Sequence, residues 1–130
     1  MQQPNLVEFE YAVIRIVPKV EREEFFNVGV VLYCAKQQFL QMRYCLQDDC
    51  LQAFGCEMDR EEITTYLAAF EQICSGNAFD SPIAKQPLAG RFRWLTATRS
   101  TVVQTSKVHP GLCADAADML EKIYARQVVR

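Results

Sequence analysis

Phe9–Val17 reads FEYAVIRIV and ends at Pro18. Aromatic and β-branched residues dominate the run and a proline bounds it, so it is predicted to be a strand. Its alternating faces are both apolar. Phe9, Tyr11, Val13 and Val17 point one way, and Ala12, Ile14 and Ile16 the other. A strand apolar on both faces is expected inside a sheet rather than at its edge. Arg15 interrupts one face.

Outward from this strand, Lys19–Glu24 is a charged connection, and Asn27–Cys34 (NVGVVLYC) repeats the doubly apolar pattern. Gly29 within it predicts a bulge or a close backbone approach. Lys36-Gln37-Gln38 is short enough for a hairpin loop. Phe39–Cys45 then alternates, with Leu40, Met42 and Tyr44 opposite Gln41 and Arg43, as a half-exposed strand does. Three sequential strands with short links predict an antiparallel meander.

Asp48–Phe54 is predicted to be a short helix. A longer one follows, with Asp59 as N-cap, Glu62 in a capping box, and Ile63, Tyr66, Leu67, Phe70, Ile73 and Cys74 on one stripe. Gly76 suits its end. Asn77–Gly90 reads as a crossing loop. Arg91–Thr98 and Thr101–Lys107 read as two further strands, and His109-Pro110-Gly111 as a turn. Asp115 is predicted to cap a closing helix with Ala116, Met119, Leu120, Ile123 and Tyr124 inward. The expected fold is α+β in the order βββ-αα-ββ-α: an antiparallel or mixed sheet of about five strands with its helices packed on one face.

The chain has 130 residues, half of them apolar and 23% charged, which suits one globular domain with any disorder confined to Met1–Val7. A net charge of −2 removes the default argument for nucleic-acid binding. The N-terminus shows neither the basic nor the apolar region of a signal peptide, and no run approaches the ~20 apolar residues of a membrane span. A cytoplasmic location is expected. Cys34, Cys45, Cys50, Cys56, Cys74 and Cys113 form no CxxC pair, and there is one histidine. They read as small buried hydrophobes rather than zinc ligands. Walker, dinucleotide-binding and HExxH motifs are absent, so no cofactor is expected.

Arg15, Glu23, Glu24, Asn27 and Arg43 form a first polar group. They read either as an anion site built on an arginine fork or as a salt bridge that compensates Arg15. Thr96–His109 (TATRSTVVQTSKVH) forms a second, dense in hydroxyls. It reads either as a phosphate or polar-ligand site or as the wet face of a hairpin. His109 reads as a candidate general base, although a lone histidine before Pro-Gly also suits a turn. Trp94 beside Arg91 and Arg93 could stack on single-stranded bases or pack in the core.

YAVIRIVPKVEREEFFNVGVVLYC (Tyr11–Cys34) and RFRWLTATRSTVVQTSKVHPGLC (Arg91–Cys113) resemble the small bacterial family known as domain of unknown function three-zero-three-seven. The resemblance spans nearly the whole chain. Matching positions are Arg15, Glu24, Asn27, Gly29, Trp94, Arg99, Ser100, Thr101, Gln104, Thr105, Ser106, His109 and Gly111. Family members are similar to proteins encoded beside a kinase resembling the HipA toxin kinases. The resemblance therefore implies a non-catalytic accessory protein with a HipA-like kinase as partner. The competing expectation is an enzyme or ligand-binding domain for phosphate or a small molecule, built from Arg15, Arg99, Gln104 and His109. An outer strand also offers a route to a homodimer.

Overall fold

The computed structural model describes residues 5–17, 24–46, 60–76, 81–99 and 101–129. The expected helix over 48–54, Asp59, Glu23 and most of the 19–24 connection lie outside them. So do Ser100, Cys50 and Cys56. Three strands open the chain: β1 (Val7–Ile16), β2 (Phe26–Cys34) and β3 (Phe39–Tyr44). Helix α1 (Arg60–Ser75), a 3-10 turn (Ile83–Lys85) and helix α2 (Leu88–Leu95) follow. Strands β4 (Val103–Thr105) and β5 (His109–Cys113) lead into helix α3 (Ala116–Gln127). The strands form one five-stranded antiparallel sheet in the order β3-β2-β1-β4, with β5 also on β1, and the class is α+β.

β1 is interior, as its two apolar faces require. Ala12, Ile14 and Ile16 join Ile63, Leu67, Phe70, Phe92 and Leu95 in one buried cluster under α1 and α2. Phe9 joins Val30, Leu32, Leu120 and Ile123 in a second cluster under α3. The expectation that all helices share one face is therefore corrected. Two apolar faces need two covers, and the helices divide between them.

α1 follows its periodicity: Ile63, Leu67, Phe70, Ile73 and Cys74 are buried. Tyr66 departs from the predicted stripe and is exposed. Gly76 ends the helix at φ 78°, a left-handed conformation that a side chain disfavours. In α3, Asp115 accepts from Ala117 N at 3.2 Å as the predicted cap. Gln37, from the β2–β3 turn, completes that helix start. Its amide accepts from Ala116 N and donates to the Ala114 carbonyl, both at 2.8 Å.

The second pair of strands differs from expectation. Arg91–Leu95 belongs to helix α2, not to a strand. Arg91, Phe92, Arg93 and Trp94 alternate in charge and bulk, which mimics a period of two. Over the longer span, Leu88, Phe92 and Leu95 stand at helical spacing and pack into the core. His109-Pro110-Gly111 is not a turn but the start of β5. β4 and β5 run along β1 in the same sense, with Ile14 opposite Thr105 and Tyr11 opposite His109. Thr105–His109, five residues, thus lie opposite the four of Tyr11–Ile14, so the pair is one bulged edge strand rather than part of a hairpin.

A second bulge lies on the other side of β1. Ile14 pairs Gly29, yet Arg15 pairs Asn27, so Val28 is the extra residue. Both readings of Gly29 hold, since the position is bulged and also closely approached by β3. A β-carbon there would sit 2.6 Å from the Arg43 carbonyl oxygen.

Candidate functional site: a polar row across the sheet

The two bulges determine which side chains share a face. Beyond its bulge β2 changes parity, which brings Asn27 beside Arg15 on the α3 side. Gln104 pairs Arg15 from the other flank. Asn27, Arg15 and Gln104 therefore form one row across β2, β1 and β4.

Arg15 Cζ lies 3.9 Å from the centroid of the exposed Phe25 ring. Partial burial lowers the pKa of the guanidinium, which nevertheless stays protonated at neutral pH. Its Nε is buried without a hydrogen-bond partner, and so is Asn27 Oδ1. Asn27 Nδ2 donates to the Gln127 carbonyl at 3.0 Å, tying the row to the end of α3. Gln104 Nε2 donates to the Thr101 carbonyl at 2.7 Å. Among the described residues Arg15 has no ion pair. Glu24, the expected compensator, is exposed, and Glu23 lies outside the described residues.

Ser106 is buried and fully engaged. Its Oγ accepts from Val13 N at 2.9 Å and donates to the Lys107 carbonyl at 2.9 Å. The hydroxyl thus replaces a sheet partner that the edge bulge removes. His109 stacks on Tyr11 across the β1–β5 pair, with ring centroids 5.2 Å apart. It lies on the same face as the row, beyond Ser106. Arg43 also faces α3 but at the opposite edge of the sheet. Its Nε is 3.5 Å from Glu121 and its Cζ 5.1 Å from the Tyr124 ring.

The remaining predicted residues lie elsewhere. Arg99 donates to the Leu95 carbonyl at 2.9 Å and to that of Trp94, so it closes the end of α2. It also stacks on Trp94 at 4.5 Å and Phe70 at 4.9 Å, within the α1–α2 layer. Thr101 Oγ1 donates to the Val103 carbonyl at 2.8 Å. Thr105 pairs Ile14 on the α1–α2 side, and its Oγ1 is buried without a partner. The four-residue grouping of Arg15, Arg99, Gln104 and His109 is therefore divided, with Arg99 across the sheet from the others. Phe25 and Tyr11 are the contacts that the sequence did not point to. Neither carries a local signal beyond its aromaticity.

Cys34, Cys74 and Cys113 are buried, in line with thiols acting as small hydrophobes, whereas Cys45 is exposed. Burial raises the pKa of the Cys113 thiol, and nearby Cys34 and Asp115 raise it further. Among the described residues no helix is long and apolar enough to cross a membrane. Nor do any three His, Cys, Asp or Glu residues there group to hold a metal ion.

What the row offers chemically is a cation under an aromatic plane, beside an unfilled acceptor. No curated protein and no solved structure matches the chain. Residues 11–128 match the family model described as protein of unknown function (DUF3037), and the chain belongs to that family.

Proposed function

We propose that the protein is a non-catalytic binding or accessory protein, and that it engages a protein partner through the Asn27–Arg15–Gln104 row. The observation that carries this reading is Arg15 stacked against exposed Phe25, with Arg15 Nε and Asn27 Oδ1 both unfilled. Arginine and aromatic side chains are the usual anchors of protein interfaces. A partner carboxylate would accept from Arg15, and a neighbouring N–H or O–H group of the partner would donate to Asn27 Oδ1. The family resemblance supports a HipA-like kinase as the partner.

Co-expression with a HipA-like kinase should give one complex in gel filtration at micromolar concentration. Arg15→Gln and Phe25→Ser should each weaken it by about tenfold or more, without lowering the urea midpoint of the free protein by as much. Two separate peaks with the unmodified pair would overturn the reading. A phosphate-binding site built from Arg15, Gln104 and His109 is the second reading, supported by their shared face. It predicts saturable binding of inorganic phosphate that Arg15→Gln abolishes.

A further inference from the structure

A cavity of about 430 Å³ lies between β3 and the α1–α2 layer, on the opposite side of the sheet from the polar row. This volume is in the range of small-molecule sites. Leu40, Met42 and Leu88 supply apolar lining, and Glu71, Cys74 and Arg91 are among the groups that share the cavity with them. Arg91 is held in place by its own hydrogen bonds. Its Nη1 donates to the Ile73 carbonyl at 3.3 Å and to that of Cys74 at 3.1 Å. Its Nε is buried and has no hydrogen-bond partner. Arg91 also lines the cavity, so its carbonyl bonds hold a fixed positive charge at the wall, where an anion would be favoured.

Glu71 brings the opposite charge to the same cavity. The ion pairs among the described residues, Arg43–Glu121 and Lys122–Asp118, do not join it to Arg91. Both charges act on the Cys74 thiol. Burial pushes that thiol up to about 12, Arg91 pulls it down, and Glu71 pushes it up. The thiol is therefore neutral at physiological pH and does not compete with Glu71 for a cation.

We propose that this cavity binds a small zwitterion with an apolar tail, of the class of apolar α-amino acids. The carboxylate meets Arg91, the ammonium meets Glu71, and the tail lies against Leu40, Met42 and Leu88. Neither charge alone explains the arrangement, because one cavity holds Arg91, which calls for an anion, Glu71, which calls for a cation, and Leu40, Met42 and Leu88, which suit an apolar tail.

The test is a titration of the full chain, followed by backbone amide resonances, with three probes of one shape. L-Leucine carries both charges, 4-methylpentanoate lacks the ammonium, and 3-methylbutylamine lacks the carboxylate. Leucine should bind saturably with shifts confined to residues 38–42, 71–75 and 88–91. Each one-charge analogue should bind about tenfold more weakly, the loss expected for one charge-assisted contact. Glu71 is exposed, so Glu71→Gln should fold normally. It should weaken leucine about tenfold and leave 4-methylpentanoate unchanged. Equal binding of leucine and 4-methylpentanoate, unchanged leucine affinity in E71Q, or no saturable shift with any probe would each overturn the proposal.

Discussion

A β-carbon at position 29 would sit 2.6 Å from the Arg43 carbonyl oxygen and 2.7 Å from Tyr44 Cβ. Both neighbours belong to the backbone of β3 or lie next to it, so neither can swing aside as a flexible side chain would. Gly29→Ala should therefore destabilise the protein by about 1–3 kcal/mol, the usual cost of forced overpacking. A urea melt should show a lower midpoint at unchanged slope. An unchanged midpoint would mean that β3 is free to shift. Ser106 shows the complementary case, in which a side chain is needed rather than excluded. Its hydroxyl fills the place of a missing carbonyl opposite Val13. Ser106 thus holds the edge strand where its pairing changes register, whatever else the polar face does.

At the scale of elements, two arginines close two helices. Arg91 donates to the last carbonyls of α1, and Arg99 to those of α2. Both place positive charge where the helix dipole is negative. For Arg99 two effects compete. Burial disfavours the charge and lowers its pKa. The carbonyl bonds and the stacking on Trp94 and Phe70 favour it. We expect the second to prevail, because the carbonyls at the end of α2 would lose their donors. Arg99→Met should cost about 1–3 kcal/mol in urea unfolding. A neutral result would show that an apolar side chain of similar size serves equally well. The same capping role, with its stacking on Trp94 and Phe70, removes Arg99 from any free basic surface.

For the whole molecule, the buried thiol of Cys74 links stability to alkaline pH. Its pKa rises from an ordinary value near 9 to about 12, chiefly through burial. Between those values the folded protein holds a proton that the unfolded chain has lost. Stability is thus full below pH 9 and falls as pH rises towards 12. Burial raises Tyr44 and Tyr124 as well, with the same sign. Urea midpoints measured from pH 8 to 11 should decline, and Cys74→Val should flatten part of that decline. A parent and variant with parallel pH profiles would remove Cys74 from the account.

Much of this architecture is legible in local pattern. The doubly apolar β1, the helical stripes of α1 and α3, the Gly76 stop, the Asp115 cap and the irregularity at Gly29 all follow from spacing and residue chemistry. Those features depend on neighbours within a few positions, which the sequence carries directly. Helix α2 could not be separated from a strand in the same way. A short run that alternates charge and bulk fits both periods, and packing of Phe92 and Leu95 under the sheet chose between them. The division of the helices between two faces, the merging of β4 and β5 into one bulged strand, and the alignment of Asn27, Arg15 and Gln104 were decided only in three dimensions. Asn27 reaches Arg15 because one extra residue changes strand parity, and Val13 meets Ser106 across 93 positions of chain. The sequence determined which residues are polar and where the first three strands, α1 and α3 run. Register, a property of two paired strands and of neither alone, determined which of those residues meet.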